Sequence, residues 1–341
     1  MFERTIRNVL ENASKAFPIV LLTGQRQVGK SFLVRNLSEN INPPRKYITL
    51  DDLNARQAAK EDPKKFIQDN PPPIIIDEVQ YAPELFPYIK IWADERQYDY
   101  MAHNNSAANP NGAFWLTGSQ SFNLMQGVQE SMAGRVCIIN LFGLSYKESI
   151  GKSFAFKPFL PSSDMLNREP ICAPLSPNQA FEKIWQGSFP KLIDDNSIDR
   201  KDFYDSYIQT YISRDVRDFY KINNQIAFNN FIIAVAARTG ELLNLDNLAT
   251  TARIDNRTAK LWLEILVRSG LIYLLYPYYA NINKRIVKTP KVFFMDTGLS
   301  SYLTNWNTPD NLRVGAQSGH ILETYVFGEI MKSYLHNGKQ P

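Results

Sequence analysis

The chain has 341 residues, and its 38 lysines and arginines against 34 aspartates and glutamates give a net charge of +4. At roughly 150 residues per domain, this length predicts two or three domains. A charged fraction of 21% and an aromatic fraction of 12% exclude a largely disordered chain. The two cysteines and three histidines exclude a disulfide framework and have no spacing typical of metal ligands.

No apolar run reaches the roughly 18 residues that a membrane-spanning helix needs. The first residues also lack the apolar core of a signal peptide. We therefore expect a cytoplasmic protein with no membrane partner. Because the net charge is small, only the distribution of charge along the chain can indicate a nucleic-acid partner.

The first 150 residues alternate between strand-like and helix-like patterns, after a short amphipathic helix at the start. Five segments are typical of buried strands, at residues 18–24, 46–50, 72–77, 113–118 and 135–144. Helical patterns between them, at residues 30–37 and 83–96, favour an α/β fold. Such alternation predicts a parallel sheet with helices on both faces. We predict that residues 1–150 form one domain.

The composition changes after residue 150. Proline-rich residues 151–178 indicate a linker, which we extend through a helical segment to residue 222. Residues 224–277 predict three short helices and a strand, and a second strand follows residue 290. This order predicts a winged-helix-like domain over residues 223–297. The last forty residues are predicted to be helical.

Residues 24–31, GQRQVGKS, lie between a predicted strand and a predicted helix and fit the pattern G-x-x-x-x-G-K-[ST]. Glycines allow consecutive backbone N–H groups to surround phosphate oxygens, and the helix N-terminus adds positive potential. The pattern predicts that Lys30 reaches the β- and γ-phosphates of ATP and that Ser31 ligates Mg²⁺. The alternative is a glycine turn that opens an ordinary helix, which the restrictive spacing disfavours. The residues assigned to ATP binding are Gly24, Gln25, Arg26, Gln27, Val28, Gly29, Lys30, Ser31 and Phe32.

Asp77 and Glu78 follow an almost purely apolar predicted strand. A carboxylate at such a place needs a strong partner. Mg²⁺ beside the Ser31 hydroxyl supplies one for Asp77. Glu78 is then placed to polarise the water that attacks the γ-phosphate. Gln80 either orients the same water or is an ordinary surface glutamine.

Residues 115–120, WLTGSQ, end the fourth predicted strand at the same edge of the sheet. We predict that Thr117 senses the γ-phosphate by a hydrogen bond to it or to the attacking water. Ser119 has the same possible role, or it caps the next helix.

Two arginines are candidates for stabilising the charge that develops on the γ-phosphate. Arg135 either reaches the site of a neighbouring subunit as an arginine finger or forms a surface ion pair. Arg214 either reaches nucleotide phosphate across a domain or subunit boundary or pairs with Asp215 or Asp218. Because the site needs a further guanidinium to stabilise this charge, and a neighbouring subunit can supply it, we expect a homo-oligomer.

These motifs, with YISRDV at residues 211–216 and MDTGLSSYL at residues 295–303, resemble the AAA-type ATP-binding proteins of archaea and bacteria whose C-terminal half is a domain of unknown function. The resemblance covers essentially the whole chain. It implies a P-loop ATPase core with five strands, a winged-helix region, and the start of a further α/β domain, similar to restriction-type nucleases, over residues 298–341. Glu323 matches the first acidic position of that nuclease-like site. The other positions have no match, so we expect an incomplete domain and no nuclease chemistry from this chain.

Independently of that resemblance, the predicted winged helix carries a concentration of basic residues. In helix-turn-helix proteins the second helix of the pair enters the major groove of DNA. Glu264 in the same helix is compatible with the alternative, a module that binds protein, since fold alone does not fix function. The residues assigned to double-stranded DNA are Arg253, Arg257, Lys260, Arg268, Lys284 and Arg285.

The sequence therefore predicts a Mg²⁺-dependent ATPase that couples its nucleotide state to a movement of a DNA-associated C-terminal half. The alternative is a nucleotide-dependent switch or scaffold that acts on a protein partner without binding DNA. Duplex binding whose affinity falls with salt is expected only for the first.

Overall fold

The structure is a computed structural model that describes residues 2–39, 41, 44–103, 109–119, 127–128, 131–153, 157–163, 172–195, 197–211, 224–278 and 288–341. The chain divides into two compact units, which we describe separately. The N-terminal unit contains Arg4–Leu141 and Leu335–Gln340, and the C-terminal unit contains Met1–Glu3, Phe142–Tyr334 and Pro341.

The N-terminal unit is built on a parallel sheet of five strands, which confirms the predicted α/β class. The strands lie in the order β2-β3-β4-β1-β5, so that β4 lies between β1 and β3. Parallel strands bring their carboxyl ends to one edge of the sheet, where open α/β sheets bind ligands. The strands are β1 (Ile19–Gly24), β2 (Lys46–Thr49), β3 (Ile74–Asp77), β4 (Phe114–Thr117) and β5 (Val136–Leu141).

In the described part of this unit, five helices pack with the sheet, and two of them were not predicted from the sequence. Asp52 and Asp62 cap these two helices, since their carboxylates accept hydrogen bonds from the backbone N–H groups of Ala55 and Lys65 at 2.8 and 2.9 Å. Such caps satisfy N–H groups that a helix start leaves unpaired. The helices are α1 (Arg7–Ala16), α2 (Lys30–Glu39), α3 (Leu53–Glu61), α4 (Pro63–Asp69) and α5 (Leu85–Ala102). The unpredicted ones are α3 and α4.

Alternate residues of the central strands point to one face of the sheet and pack there against helix residues in a hydrophobic core. The ring of Phe114 meets that of Trp92 edge-on, with centroids 5.2 Å apart. Burying one such side chain stabilises a fold by about 1.5–3 kcal/mol, so this face supplies a rigid base for the edge above it. The cluster includes Ile19, Leu21, Ile74, Ile76, Phe114 and Leu116 from the strands, and Phe66, Ile67, Phe86 and Ile89 from the helices.

The C-terminal unit is mainly helical. Three helices precede a two-stranded antiparallel sheet, and Leu242 forms an isolated bridge with Lys291 of that sheet. The described helices before this group are α6 (Tyr146–Ser149), α7 (Pro177–Gln186), α8 (Pro190–Asp194) and α9 (Arg200–Thr210). The group itself consists of α10 (Gln225–Ala236), α11 (Leu245–Ala252), α12 (Asn256–Arg268), β6 (Ile272–Leu275) and β7 (Lys291–Phe294).

Three further helices follow β7, namely α13 (Thr297–Leu303), α14 (Pro309–Val314) and α15 (Ser318–Leu335). No strand occurs among the described residues 297–341. The start of a further α/β domain over residues 298–341 therefore stays a prediction. The carboxylate of Glu323 forms an ion pair with Lys291 at 2.6 Å.

Asp296, between β7 and α13, joins several parts of the C-terminal unit. It is 3% exposed. One carboxylate oxygen accepts from the backbone N–H and hydroxyl of Ser188, both at 2.7 Å. The other accepts from the Leu299 N–H at 2.7 Å and the Tyr204 hydroxyl at 3.0 Å. Burial and the nearby carboxylate raise the pKa of Tyr204, which keeps its hydroxyl a donor.

None of the helices in the described residues has the length and apolar character needed to cross a membrane.

Candidate functional site

The loop between β1 and α2 turns through backbone conformations that favour glycine. Gly24 has φ 143°, and a Cβ atom there would lie 2.0 Å from the backbone oxygen of Leu141. Gly29 has φ 94° and Gln27 has φ 60°. Residues other than glycine rarely adopt such backbone angles. The loop is therefore bent tightly where the sequence pattern predicts that backbone N–H groups surround phosphate.

Two buried side chains anchor this loop. Val28 is fully buried, and its carbonyl accepts a hydrogen bond of 3.0 Å from the Arg4 guanidinium. Sequence reasoning missed Arg4, because no local pattern links it to a loop twenty-four residues further along. Arg4 fixes the conformation of the loop at the point where the backbone must be preorganised.

Lys30, the first residue of α2, is buried within the curve of the loop. Its ammonium donates to the backbone oxygens of Gly24 at 3.1 Å and Gln25 at 2.7 Å. The positive charge therefore lies beside the helix N-terminus, and both favour an anion. This arrangement can bind a phosphate group.

Asp77, at the end of β3, is 4% exposed and accepts four hydrogen bonds from hydroxyl groups. Its Oδ1 accepts from Ser31 at 2.7 Å and from Thr117. Its Oδ2 accepts from Tyr47 at 2.8 Å and Thr49 at 3.3 Å. These bonds supply the polar partners that a buried carboxylate needs.

Strand order explains how these hydroxyls meet. Strand β3 lies between β2 and β4, and Thr49 is in register with Asp77. Ile76 is in register with Leu116, which brings Thr117 beside Asp77. The structure thus brings together the predicted residues Ser31, Asp77 and Thr117 and adds Tyr47 and Thr49, which were not predicted.

The Tyr47 hydroxyl donates a hydrogen bond to Asp77 over the whole neutral pH range. Burial and the neighbouring carboxylate raise the pKa of the Tyr47 hydroxyl above its ordinary value. The hydroxyl therefore stays protonated at neutral pH. The Arg35 guanidinium of α2 lies over the Tyr47 ring, 4.6 Å from its centroid, which connects α2 to the edge strand by a cation–π contact.

Glu78 follows Asp77 in a left-handed backbone conformation, with φ 57°. This conformation costs about 1–2 kcal/mol for a residue other than glycine, and such strain is often found at functional sites. The Glu78 N–H donates to the Thr117 hydroxyl at 3.3 Å, and the Glu78 carboxylate accepts from the Gln80 amide. Gln80 is buried, which corrects the alternative of a surface glutamine.

The remaining predicted residues have different settings. Arg135 forms a bidentate ion pair with Asp94 and donates to the Ala133 carbonyl at 2.8 Å. This is the surface ion pair named above as the alternative to an arginine finger, and as placed it leaves the guanidinium committed within its own chain. Ser119 is buried, and its hydroxyl has no hydrogen-bond partner among the described residues.

The other residues assigned to ATP binding differ in exposure. Gln25 is buried, Arg26 is half-buried, and Phe32 is exposed. Arg214 lies outside the described residues, as do Asp215 and Asp218.

The donor set around Asp77 fits Mg²⁺. It offers a carboxylate and the Ser31 hydroxyl, and Mg²⁺ prefers oxygen ligands. In the described part of the chain, no group of three or more histidine, cysteine, aspartate or glutamate residues could hold a metal ion by itself. A magnesium ion here would share its ligands with phosphate and water, as Mg²⁺ in nucleotide sites usually does.

The residues predicted to bind DNA are exposed where the structure describes them. Arg253 ends α11 with φ 57°, and Arg257, Lys260 and Arg268 lie on α12. The other two, Lys284 and Arg285, are outside the described residues.

A sheet of this strand order, with a phosphate-type loop after β1 and Asp77 at the end of β3, defines an ATPase-like P-loop domain. Residues 16–150 match the model of the AAA domain. Residues 178–310 match a domain of unknown function. These two matches confirm the predicted resemblance to AAA-type ATP-binding proteins with a C-terminal domain of unknown function.

Alignments with related proteins cover most of the chain. It is 27% identical over 293 residues to an uncharacterized protein of Mycobacterium tuberculosis, which covers 85% of this chain and 57% of that protein. It is 20% identical over 360 residues to an uncharacterized protein of Methanocaldococcus jannaschii, with coverages of 98% and 70%. The chain thus spans little more than half of the mycobacterial relative.

A solved structure supports the same fold. The Walker-type ATPase of Pyrococcus abyssi superimposes with a TM-score of 0.53 at 16% identity, covering 89% of this chain and 96% of that chain. At this identity the likeness concerns the fold alone.

Proposed function

We propose that the N-terminal unit binds ATP with Mg²⁺ at residues 24–31 and hydrolyses it. The observation that carries the proposal is the 2.7 Å hydrogen bond between the Ser31 hydroxyl and Asp77, beside a loop that encloses the Lys30 ammonium. The residues proposed to bind phosphate and those proposed to bind metal thus lie at the same edge of the sheet. AAA domains supply the expectation that the nucleotide is ATP.

Each residue has a distinct role in this proposal. Lys30 moves its hydrogen bonds from the loop carbonyls to the β- and γ-phosphates. Mg²⁺, when bound, neutralises charge on the phosphate oxygens, and Ser31 and Asp77 are the residues that hold it. Glu78 accepts a proton from the attacking water, and Thr117 fixes Asp77 and Glu78 relative to each other.

Titration with ATP tests the binding step. Lys30→Ala removes the ammonium and should abolish binding at concentrations that saturate the parent protein, while the thermal midpoint stays close to that of the parent. Lys60→Ala, which removes an exposed lysine of α3 in the same unit, is the matched control and should bind like the parent. Equal ATP affinity of Lys30→Ala and the parent would contradict the site.

We further propose that α10 to β7 form a winged helix and that α12 is its DNA-binding helix. The supporting observation is that Arg253, Arg257 and Lys260 are all exposed. Exposed cations can neutralise phosphates and release counterions. Coupling of DNA affinity to the nucleotide state would link the two halves of the chain.

Salt-dependent binding to a DNA duplex tests this second proposal. The double variant Arg257→Ala/Lys260→Ala should reduce the slope of log affinity against log salt by about 1.8, since each phosphate contact contributes about 0.9. The control removes two exposed lysines elsewhere in the same unit, Lys191→Ala/Lys201→Ala. An unchanged slope in the first variant would contradict the interface.

A protein partner is the competing proposal for the same helix. Leu261 on α12 is 54% exposed, and Glu264 beside it is also exposed. A carboxylate is repelled by the DNA backbone, whereas an exposed apolar side chain gains free energy when a protein partner buries it. A parent protein with no salt-dependent affinity for duplex DNA would favour this alternative.

A homo-oligomer that completes the site with an arginine from a neighbour stays a prediction. Because Arg135 is paired with Asp94, Arg214 becomes the stronger candidate for that guanidinium.

A further inference from the structure

Gln80 is a buried amide that is satisfied at only one end. It lies in the short 3₁₀ turn formed by Val79–Tyr81 and is 7% exposed. Its Nε2 donates to the Glu78 carboxylate, whereas its Oε1 is buried and has no hydrogen-bond partner in the part of the chain that the structure describes. A buried acceptor without a donor is energetically unfavourable. The amide is therefore prepared for an incoming donor.

The turn that carries Gln80 is held firmly in place. Val79 and Ala82 are fully buried. The Arg56 guanidinium lies 4.0 Å from the centroid of the Tyr81 ring and donates to the Leu50 carbonyl at 2.7 Å. These contacts restrict movement of the turn. The unpartnered Oε1 of Gln80 is therefore held in the protein interior, next to Glu78, the residue proposed to activate the attacking water.

We propose that Gln80 is the positioning residue that holds the attacking water against Glu78, an inference that rests on the proposed ATP hydrolysis. The water donates one hydrogen to Gln80 Oε1 and the other to the Glu78 carboxylate. A carboxamide suits this place because it donates and accepts at the same time. Gln80 itself gains and loses no proton.

The water oxygen forms a bond to the γ-phosphorus while its proton passes to Glu78. The bond between that phosphorus and the β–γ bridging oxygen breaks, and ADP leaves with the electron pair. Inorganic phosphate is the second product, and Glu78 then releases its proton to solvent. Correct placement of the water is the contribution of Gln80, and misplacement by about 1 Å can cost about 100-fold in rate.

The test compares Gln80→Leu and Gln80→Glu with the parent protein. Gln80→Leu removes both polar ends at similar volume, so ATP affinity should stay within about two-fold while kcat falls by about 10- to 100-fold. Gln57→Leu is the matched control, because Gln57 donates in the same way to Glu61 on the exposed face of α3, at 2.8 Å. The control should retain parental kcat.

Gln80→Glu keeps an acceptor at this position and places a second carboxylate beside Glu78, so its pH profile reports whether position 80 lies against the catalytic base during turnover. A second carboxylate beside Glu78 raises the apparent pKa of the pair, so the acidic limb of the kcat–pH profile should move to higher pH by about one unit or more. This variant keeps the size of the side chain, and its ATP titration reports whether the site is folded.

The outcomes separate the two proposals. Parental turnover in Gln80→Leu, or an unmoved acidic limb in Gln80→Glu, would overturn the role of Gln80 and leave the ATPase proposal standing. A parent protein that fails to bind or hydrolyse ATP would overturn the proposed function and this role with it. Reduced kcat with unchanged ATP affinity, together with the moved acidic limb, would support the inference.

Discussion

Two buried aspartates, one in each unit, follow apolar strands and look alike in sequence. Asp77 ends β3 and is 4% exposed, and Asp296 lies just beyond β7 and is 3% exposed. Their partners differ in kind. Among the described residues, Asp77 accepts hydrogen bonds from hydroxyl groups alone, whereas Asp296 accepts them from two backbone N–H groups and two hydroxyls.

The kind of partner separates a site that can change from one that cannot. A hydroxyl rotates and can either donate or accept, so the partners of Asp77 can rearrange when a cation or water arrives. A backbone N–H only donates, and its direction is fixed by the chain. Asp296 is therefore bound to one arrangement that caps α13 and fixes Ser188. We infer that Asp77 serves chemistry and that Asp296 serves folding.

Among the substitutions considered, the isosteric change of Asp77 to asparagine should have the largest effect on ATP turnover. Asp77→Asn removes the negative charge that holds Mg²⁺, and kcat/KM should fall by about 100-fold or more, because metal charge stabilisation is worth several kcal/mol. The introduced NH₂ meets hydroxyls that can turn and accept, so the thermal midpoint should change by only a few degrees. ATPase assays and thermal unfolding of one preparation measure both quantities. A large loss of stability would contradict the comparison.

Asp296→Asn should reverse this pattern. At either oxygen the introduced NH₂ faces one backbone N–H that cannot accept, and the remaining donors lose a charged acceptor, at a cost of about 3 kcal/mol. For a unit of this size, that corresponds to a fall of roughly 6–12 °C in the unfolding midpoint. ATP affinity should remain parental at a temperature where both proteins are folded.

Asp310→Asn is the control for this substitution, since its side chain is 78% exposed and should leave the midpoint unchanged. If Asp296→Asn unfolds like the parent, the structural role assigned to Asp296 is wrong.

The smallest effect is expected at Arg135. Its ion pair with Asp94 is partly exposed, and such pairs contribute about 0–1 kcal/mol. Arg135→Ala should therefore leave both turnover and the thermal midpoint close to the parental values. A loss of turnover of more than about 100-fold, rescued in oligomers mixed with Glu78→Gln subunits, would restore Arg135 as an arginine finger.

Local patterns were enough to predict the strands and the loop at residues 24–31. The spacing of glycines and lysine in that loop is a short-range constraint, and the buried strands are short continuous apolar runs. Helices α3 and α4 also had local signals, since Asp52 and Asp62 precede them and Pro63 occupies a first-turn position. Both capping signals are therefore local features of the sequence.

Other parts of the site depend on contacts between distant parts of the chain. Tyr47 and Thr49 reach Asp77 because β2 and β3 are neighbours, and strand order is a property of tertiary packing. The burial of Gln80 likewise depends on packing around its turn. The loop at residues 24–31 and Glu78 single out Asp77 in the sequence, whereas the structural role of Asp296 depends on partners that only tertiary packing brings to it.

The most direct test of the central claim is ATP turnover by Glu78→Gln, measured with ATP affinity in the same preparation. The substitution keeps the size of the side chain and leaves Asp77 in place, but an amide cannot accept the proton of the attacking water. The account predicts parental ATP affinity with turnover reduced by at least about 100-fold, the lower range for general base catalysis. Parental turnover in Glu78→Gln would contradict the assignment of the base and the chemical role of this edge of the sheet.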